Sequence, residues 1–252
     1  MYLVYLSVGH DPFFVKMVDI CVNSILATTD NSKIEICVMC DSEYEQYVSH
    51  LPVKIHLTDK SLTAMSSSMR KVEIFNIENI HDYERVLFLD GDIIVTKSLI
   101  PLFEAASDPS KFYVFKEHYK HQHYHIFFSL LKYTQEELNY LNDNNIVGFN
   151  CGQFLFAPTL EMKEHFNNVV NMMTNYKGEF FYEQSFMNVY FNKRHAMLNN
   201  TLLNEYVHLF PVDNVLYEDK SIIHFAGLLP GQTIRDKYDK MVRYLKFANI
   251  LQ

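Results

Sequence analysis

The sequence has no tryptophan and is poor in cysteine, glycine and proline, with four, seven and seven of these among its 252 residues. So few cysteines argue against a disulfide-stapled secreted scaffold. The low glycine and proline content excludes a collagen-like or low-complexity chain. Basic residues are also in the minority, because 22 lysines and arginines face 30 acidic residues and the net charge is −8. Such a protein repels a phosphate backbone, so we expect no nucleic-acid partner.

Long apolar runs are also missing, since none approaches the ~20 residues of a membrane span. Residues 1–7 show neither a basic region nor a small-residue cleavage pattern, so we expect no signal peptide. Cys37 and Cys40 fall within an apolar stretch that no second cysteine pair accompanies, which favours buried thiols over a zinc or redox site. We therefore expect a cytoplasmic protein, either soluble or peripherally associated with a membrane.

Hydrophobic residues make up 48% of the chain, enough to fill a core, and we predict one domain over residues 1–252. Alternating strand and helix patterns predict an α/β fold whose mainly parallel, twisted sheet is flanked by helices. The predicted strands are 2–8, 34–40, 53–57, 85–89, 112–115, 152–157 and 221–225. The predicted helices are 14–26, 70–80, 135–141, 160–173, 182–191 and 233–252.

The tripeptide Asp90-Gly91-Asp92 follows a strand at its carboxyl end, where such sheets bind ligands. Two carboxylates one residue apart can share Mn²⁺ or Mg²⁺, and that ion can bind a diphosphate. The same residues are also common in ordinary Asp-Gly turns, so the tripeptide alone leaves both a metal site and a structural turn open. A haloacid-dehalogenase-type phosphatase also has a D-x-D after a strand, but its motif continues as D-G-T, whereas Ile93 and Ile94 follow Asp92 here.

The segment 83–95 around this D-x-D resembles family 8 glycosyltransferases, the glycogenin-like and lipopolysaccharide galactosyl- or glucosyltransferase-like enzymes. Further segments are similar to the motifs of that family and occur in the same order. They are the opening strand Leu3–Ser7, the basic Arg70, the N-x-G of Asn150–Gly152, the acidic-Gln pair Glu183-Gln184 and the H-F/Y-x-G of His224–Gly227.

The resemblance implies a GT-A fold with a Rossmann-like nucleotide-binding half and a retaining hexosyltransferase. The donor would be a UDP-sugar, with UDP-glucose or UDP-galactose favoured, and the acceptor a hydroxyl of a glycan, a protein or a lipid-linked molecule. Mn²⁺, or Mg²⁺ in its place, would be bound by Asp90, Asp92 and His224. The residues expected to bind the nucleotide or sugar are Ser7, Phe14, Arg70, Asp90, Gly91, Asn150, Gly152, Gln184 and Gly227. Glu183 and Gln184 would act at the reacting carbon, near the positive charge that develops on the sugar ring.

The sequence departs from the family pattern after Gly227. Members often continue as x-x-K-P-W, whereas this chain reads Leu228-Leu229-Pro230-Gly231 and lacks the lysine. A catalytically silent nucleotide-sugar or glycan-binding module therefore remains an alternative. A sugar nucleotidyltransferase is the other, although its glycine-rich basic loop is not found at residues 7–11.

Two segments are not explained by the resemblance. Four histidines lie within residues 118–125, where we expect a flexible loop bordering the acceptor site more than a zinc site. Residues 233–252 form a basic amphipathic pattern. Such a helix can lie on a membrane surface or pack on the domain as its final helix, and both remain open.

Overall fold

The computed structural model describes residues 1–8, 11–59, 64–117, 134–144, 146, 148–176, 183–228 and 230–250. The strands are β1 Tyr2–Val8, β2 Ile34–Asp41, β3 Lys54–Thr58, β4 Arg85–Leu89, β5 Ile93–Val95, β6 Phe112–Lys116, β7 Phe149–Phe156, β8 Leu198–Asn199, β9 Val207–Leu209 and β10 Ile222–His224. The helices are α1 Pro12–Thr28, α2 Glu45–Val48, α3 Ala64–Met69, α4 Ile100–Ala105, α5 Gln135–Asp143, α6 Leu160–Thr174, α7 Glu183–Asn192, α8 Leu202–Tyr206 and α9 Ile234–Ala248. The histidine-rich segment 118–125 lies outside the described residues.

A seven-stranded sheet in the order β3-β2-β1-β4-β7-β6-β8 forms the centre of the molecule. Strands β3, β2, β1 and β4 are all parallel, whereas β7 runs antiparallel to β4 and β6. This confirms the predicted α/β fold with a mainly parallel sheet. A second sheet has three strands in the order β5-β10-β9. The carboxyl ends of the parallel strands lie at one edge of the large sheet, and the D-x-D turn follows β4 at this edge.

The central strands form because both of their faces are buried. Leu3 and Tyr5 of β1 belong to the apolar cluster on one face of the sheet, and Val4 and Leu6 belong to the cluster on the other. All four side chains are fully buried. Continuous apolar runs of this kind are typical of strands covered by helices on both faces.

The predicted helix over residues 70–80 is wrong. Helix α3 ends at Met69, and separate 3₁₀ turns follow at Ile74–Asn76 and Ile80–Asp82. Asn79 takes a left-handed conformation with φ 57°, which interrupts a right-handed helix. The apolar side chains that suggested a helix are buried all the same, because turns with three residues per repeat also place them against the sheet.

The other predicted segments lie within three residues of the observed ends, apart from the C-terminal helix, which ends at Ala248. Helix α9 begins with a capping box between Thr233 and Asp236. Its buried residues Met241, Tyr244 and Leu245 pack with α1 and the small sheet. The domain therefore covers the apolar face of α9, as expected for a final helix packed on the domain. Within the described residues, no helix is long and apolar enough to cross a membrane.

Helix α7 is attached to β7 by the buried side chain of Asn188. Its Oδ1 accepts a hydrogen bond from the backbone N–H of Phe149 at 2.8 Å, and its Nδ2 donates to the Phe149 carbonyl at 2.9 Å. Nδ2 also donates to the carbonyl of Gln184 one helical turn earlier, at 2.9 Å. One amide thus fixes the first turn of α7 relative to β7.

We expect Asn188→Leu to lower the free energy of unfolding by about 2–4 kcal/mol, because it removes several buried hydrogen bonds at once. Urea denaturation measures the loss. Asn175→Leu is the control, since Asn175 is exposed and, among the described residues, its side chain bonds to the carbonyl of Asn171 in its own helix. This substitution should change stability by less than about 0.5 kcal/mol. Equal effects of the two substitutions would contradict this role of Asn188.

Candidate active site

Three potential metal ligands converge beyond the end of β4. Oxygens of Asp90 and Asp92 and a ring nitrogen of His224 all lie within 4.8 Å of one another. The Asp90 N–H donates to the Gly152 carbonyl at 2.7 Å, and the Phe225 N–H donates to the Asp92 carbonyl at 2.9 Å. Both ends of the D-x-D turn are therefore fixed by backbone hydrogen bonds.

The pairing of β10 with β5 explains how a distant histidine reaches the D-x-D. Strand β5 begins at Ile93, directly after Asp92, and the antiparallel register places His224 opposite Ile93. His224 is 2% exposed, and its Nε2 lies 3.1 Å from Asp92 Oδ1 and 3.9 Å from Asp90 Oδ2. The structure thus brings together the three residues that the resemblance implied as ligands.

The atoms of this cluster suit a divalent cation. Asp92 Oδ1 and His224 Nδ1 are buried, and neither makes a hydrogen bond of good geometry with the described residues, although Asp92 Oδ1 lies 3.1 Å from His224 Nε2. Buried polar atoms rarely remain unpaired, so atoms of this kind fit a site that binds a ligand. Two carboxylates and an imidazole are a chemically suitable set for Mn²⁺.

Two glycines make the space for this arrangement. A Cβ added at Gly152 would lie 2.1 Å from His224 Cε1 and 2.8 Å from Asp90 Oδ2. A Cβ added at Gly91 would lie 2.6 Å from Val18 Cγ2, so Gly91 lets α1 approach the D-x-D turn. Any larger residue at either position would displace a neighbouring group.

Lys71 lies in the site, although the sequence analysis singled out its neighbour Arg70. The Lys71 ammonium is 2.7 Å from Asp90 Oδ1 and 2.7 Å from Glu183 Oε1. Burial lowers the pKa of Lys71, but the carboxylates of Asp90 and Glu183 outweigh it and raise the pKa well above its usual range. Lys71 is therefore a charged bridge between the D-x-D and the start of α7.

Arg70 is directed to a different carboxylate. It is 6% exposed and forms an ion pair with Asp41 at the end of β2, at 2.6 Å. The hydroxyl of the buried Tyr5 donates to the Arg70 carbonyl at 2.5 Å, which fixes the backbone of this turn. Consecutive side chains in a turn diverge, and no sequence pattern shows which of two adjacent cations will face the site. Arg70 is buried and follows the end of α3 at Met69. Its expected contact with the donor stays a prediction.

The first turn of α7 lies against β7. Gln184 Oε1 accepts from the Cys151 N–H at 3.1 Å, and Asn150 Oδ1 accepts from the Gly152 N–H at 2.8 Å. Both oxygens therefore accept hydrogen bonds from the backbone beside the candidate metal ligands. The NH₂ group of the Gln184 amide takes no part in that bond, and Glu183 is linked to Asp90 through Lys71.

Ser7, Phe14 and Gly227 lie near the same edge. Ser7 follows Leu6, which pairs with Leu89 immediately before the D-x-D. The Phe14 carbonyl oxygen is 3.6 Å from the Cβ position of Gly91. Gly227 comes three residues after His224 and has φ +63°, a conformation that favours glycine. Their expected contacts with the nucleotide stay predictions.

Lys237 of α9 is a second residue that the sequence analysis missed. Its ammonium lies 2.6 Å from Asp92 Oδ2, and its side chain is 11% exposed. Burial raises the pKa of Asp92, but His224 and Lys237 outweigh it and hold the pKa well below its usual range. The sequence placed Lys237 only on the charged side of an amphipathic helix, and no spacing signal connects it with Asp92.

A family model described as glycosyl transferase family 8 matches residues 5–229. A search of curated proteins found no match.

Solved structures show the same fold at low sequence identity. The bifunctional glycosyltransferase WbbM matches with a TM-score of 0.61 and 16% identity over 99% of this chain, which spans about half (51%) of the WbbM chain. The galactosyltransferase LgtC, solved with donor and acceptor sugar analogs, has a TM-score of 0.61 at 14% identity over 100% of this chain and 96% of LgtC. Mouse xyloside xylosyltransferase 1 has a TM-score of 0.56 at 12% identity over 88% of this chain and 96% of that one. The fold is therefore GT-A, as the sequence predicted.

The Lys71 bridge can be tested by a double-mutant cycle. Lys71→Met leaves two carboxylates without their shared cation, so we expect it to lower the free energy of unfolding by about 2–4 kcal/mol. Glu183→Gln in the same background should recover part of this loss, because one of the unpaired charges is gone.

Urea denaturation of the two single variants and the double variant measures the coupling. Lys33→Met removes an exposed lysine that lies 3.9 Å from Glu104, and it serves as the control with a change below about 0.5 kcal/mol. Additive effects of Lys71→Met and Glu183→Gln would show that the two side chains are not coupled.

Proposed function

The chain belongs to glycosyl transferase family 8, and we propose that it transfers a hexose from a UDP-sugar to a hydroxyl of a glycan acceptor with retention of configuration. That it is a glycosyltransferase follows from the family; the donor, the metal and the stereochemistry are the proposal. The convergence of Asp90, Asp92 and His224 within 4.8 Å is the observation that carries it. UDP-glucose and UDP-galactose are the favoured donors, and a protein or lipid-linked acceptor is a further option.

Asp90, Asp92 and His224 would hold the divalent cation, with Mn²⁺ favoured and Mg²⁺ as the alternative. When bound, the cation stabilises negative charge on the departing diphosphate. The protein prepares these ligands in advance, because the low pKa of Asp92 keeps its carboxylate ionised throughout the neutral range. The backbone hydrogen bonds of Asp90 and Asp92 fix the turn, so the backbone needs little reorganisation when the two carboxylates bind the cation.

The start of α7 would face the sugar. Breaking the glycosyl–phosphate bond leaves positive charge on the sugar ring, and the carboxylate of Glu183 and the amide of Gln184 can stabilise it. The NH₂ group of Gln184 and the side chain of Asn150 are suited to bind sugar hydroxyls. Arg70, Ser7, Phe14 and Gly227 complete the proposed donor site.

The ion pair between Glu183 and Lys71 favours front-face attack by the acceptor over a covalent intermediate formed on Glu183. A carboxylate held 2.7 Å from an ammonium is a poorer nucleophile than a free one. This supports attack by the acceptor from the face that the phosphate leaves, with the departing phosphate oxygen accepting the proton of the acceptor hydroxyl. The new C–O bond then forms on the side of the old one.

The proposal predicts metal-dependent release of UDP that requires Asp92. UDP-glucose, UDP-galactose and their N-acetyl forms are incubated with Mn²⁺, and UDP release is measured for wild type and Asp92→Asn. We expect release from one donor, abolished by EDTA and at least about 100-fold slower in Asp92→Asn, since a metal ligand is lost. Asp239→Asn, an exposed aspartate of α9, should behave as wild type. Failure of all four donors to bind or react with Mn²⁺ present would refute the proposed donor class.

A further inference from the structure

Helix α9 reaches the proposed metal site through a single side chain. Residues 5–229 match the family model, so α9 at Ile234–Ala248 lies beyond that match. The capping box of Thr233 and Asp236 fixes where the helix begins, and Lys237 follows in its first turn. The ring of Tyr238 lies 6.2 Å from that of Phe13, which brings this turn beside the start of α1.

The two oxygens of Asp92 have different neighbours. Oδ1 lies 3.1 Å from His224 Nε2, on the side of the other metal ligands, whereas Oδ2 is 2.6 Å from the Lys237 ammonium. The side chains of Asp92 and Lys237 are 8% and 11% exposed, so solvent screens this contact little. A divalent cation on Asp92 would thus lie close to a fixed positive charge, and the two cations would compete for one carboxylate.

We propose that Lys237 couples metal binding to diphosphate binding by contacting Asp92 in one state and the diphosphate in the other. Without the metal, its ammonium holds Asp92; when metal and nucleotide are both present, it moves along its flexible four-carbon stem to the diphosphate. The inference rests on the proposed function, because the diphosphate belongs to the proposed donor. The metal ion and the Lys237 ammonium then have two anionic groups to bind, the Asp92 carboxylate and the diphosphate, and no longer compete for the carboxylate.

This arrangement has a distinctive thermodynamic consequence. Removal of the ammonium takes away a competitor of the metal, so Mn²⁺ alone should bind more tightly. The same removal takes away a cation for the diphosphate, so UDP should bind more weakly in the presence of Mn²⁺. The two changes have opposite signs, whereas general damage to the site would weaken both.

The experiment compares wild type with Lys237→Met and with the control Lys246→Met. Lys246 is exposed in the last turn of the same helix, so the control makes the same chemical change outside the site. Mn²⁺ is titrated into each protein without nucleotide, with electron paramagnetic resonance of free Mn²⁺ as the readout, and UDP is then titrated calorimetrically at saturating Mn²⁺. We expect Lys237→Met to bind Mn²⁺ at least threefold more tightly and UDP at least tenfold more weakly, and Lys246→Met to match wild type.

Mn²⁺ affinity that is unchanged or weaker in a folded Lys237→Met would overturn the inference. Thermal unfolding establishes whether Lys237→Met is folded. If it is not, Lys237→Gln, which keeps a polar side chain without the charge, is measured in the same way. If wild type binds Mn²⁺ and UDP, and Lys237→Met and Lys246→Met bind both equally well, the proposed role of Lys237 is refuted and the proposed function stands. If wild type binds neither, the proposed function itself fails.

Discussion

The site depends on the compensation of buried negative charge. The carboxylates of Asp92 and Glu183 are buried and that of Asp90 is partly buried, and carboxylates in such surroundings are costly unless they are paired. Lys71 pairs with two of them and Lys237 with the third. These ion pairs connect β4, the turn after α3, α7 and α9, so the same contacts that compensate the charge also hold the surrounding elements in place.

The two sheets have separate tasks at this site. The large sheet delivers the D-x-D turn at the end of β4 and supports it from β7, where Gly152 leaves room for His224 and Asp90. The small sheet brings His224 to the turn through the pairing of β10 with β5. Helix α1 packs against both sheets and approaches the D-x-D turn at Gly91. A metal site formed at such a junction requires both sheets to be folded.

The sequence predicted those strands and helices whose pattern of apolar residues matches their burial in the structure. Strands such as β1 and β4 are apolar throughout because both faces are buried, and the D-x-D follows directly from β4. The helix that the sequence predicts over residues 70–80 is wrong, because turns bury the same apolar side chains as a helix. No sequence pattern indicates the contacts of Lys71 and Lys237, for a different reason. Which of two adjacent cations faces inward is decided by a turn, and the contact of Lys237 with Asp92 arises from tertiary packing alone.

Charge also explains why the proposed metal should be required for donor binding. Three carboxylates and two ammonium groups give the five side chains of Asp90, Asp92, Glu183, Lys71 and Lys237 one net negative charge. The whole chain is acidic as well, with a net charge of −8. A diphosphate would therefore be repelled by the cluster alone. A bound divalent cation would reverse the sign of this charge, and Lys237 could then turn from Asp92 to a phosphate.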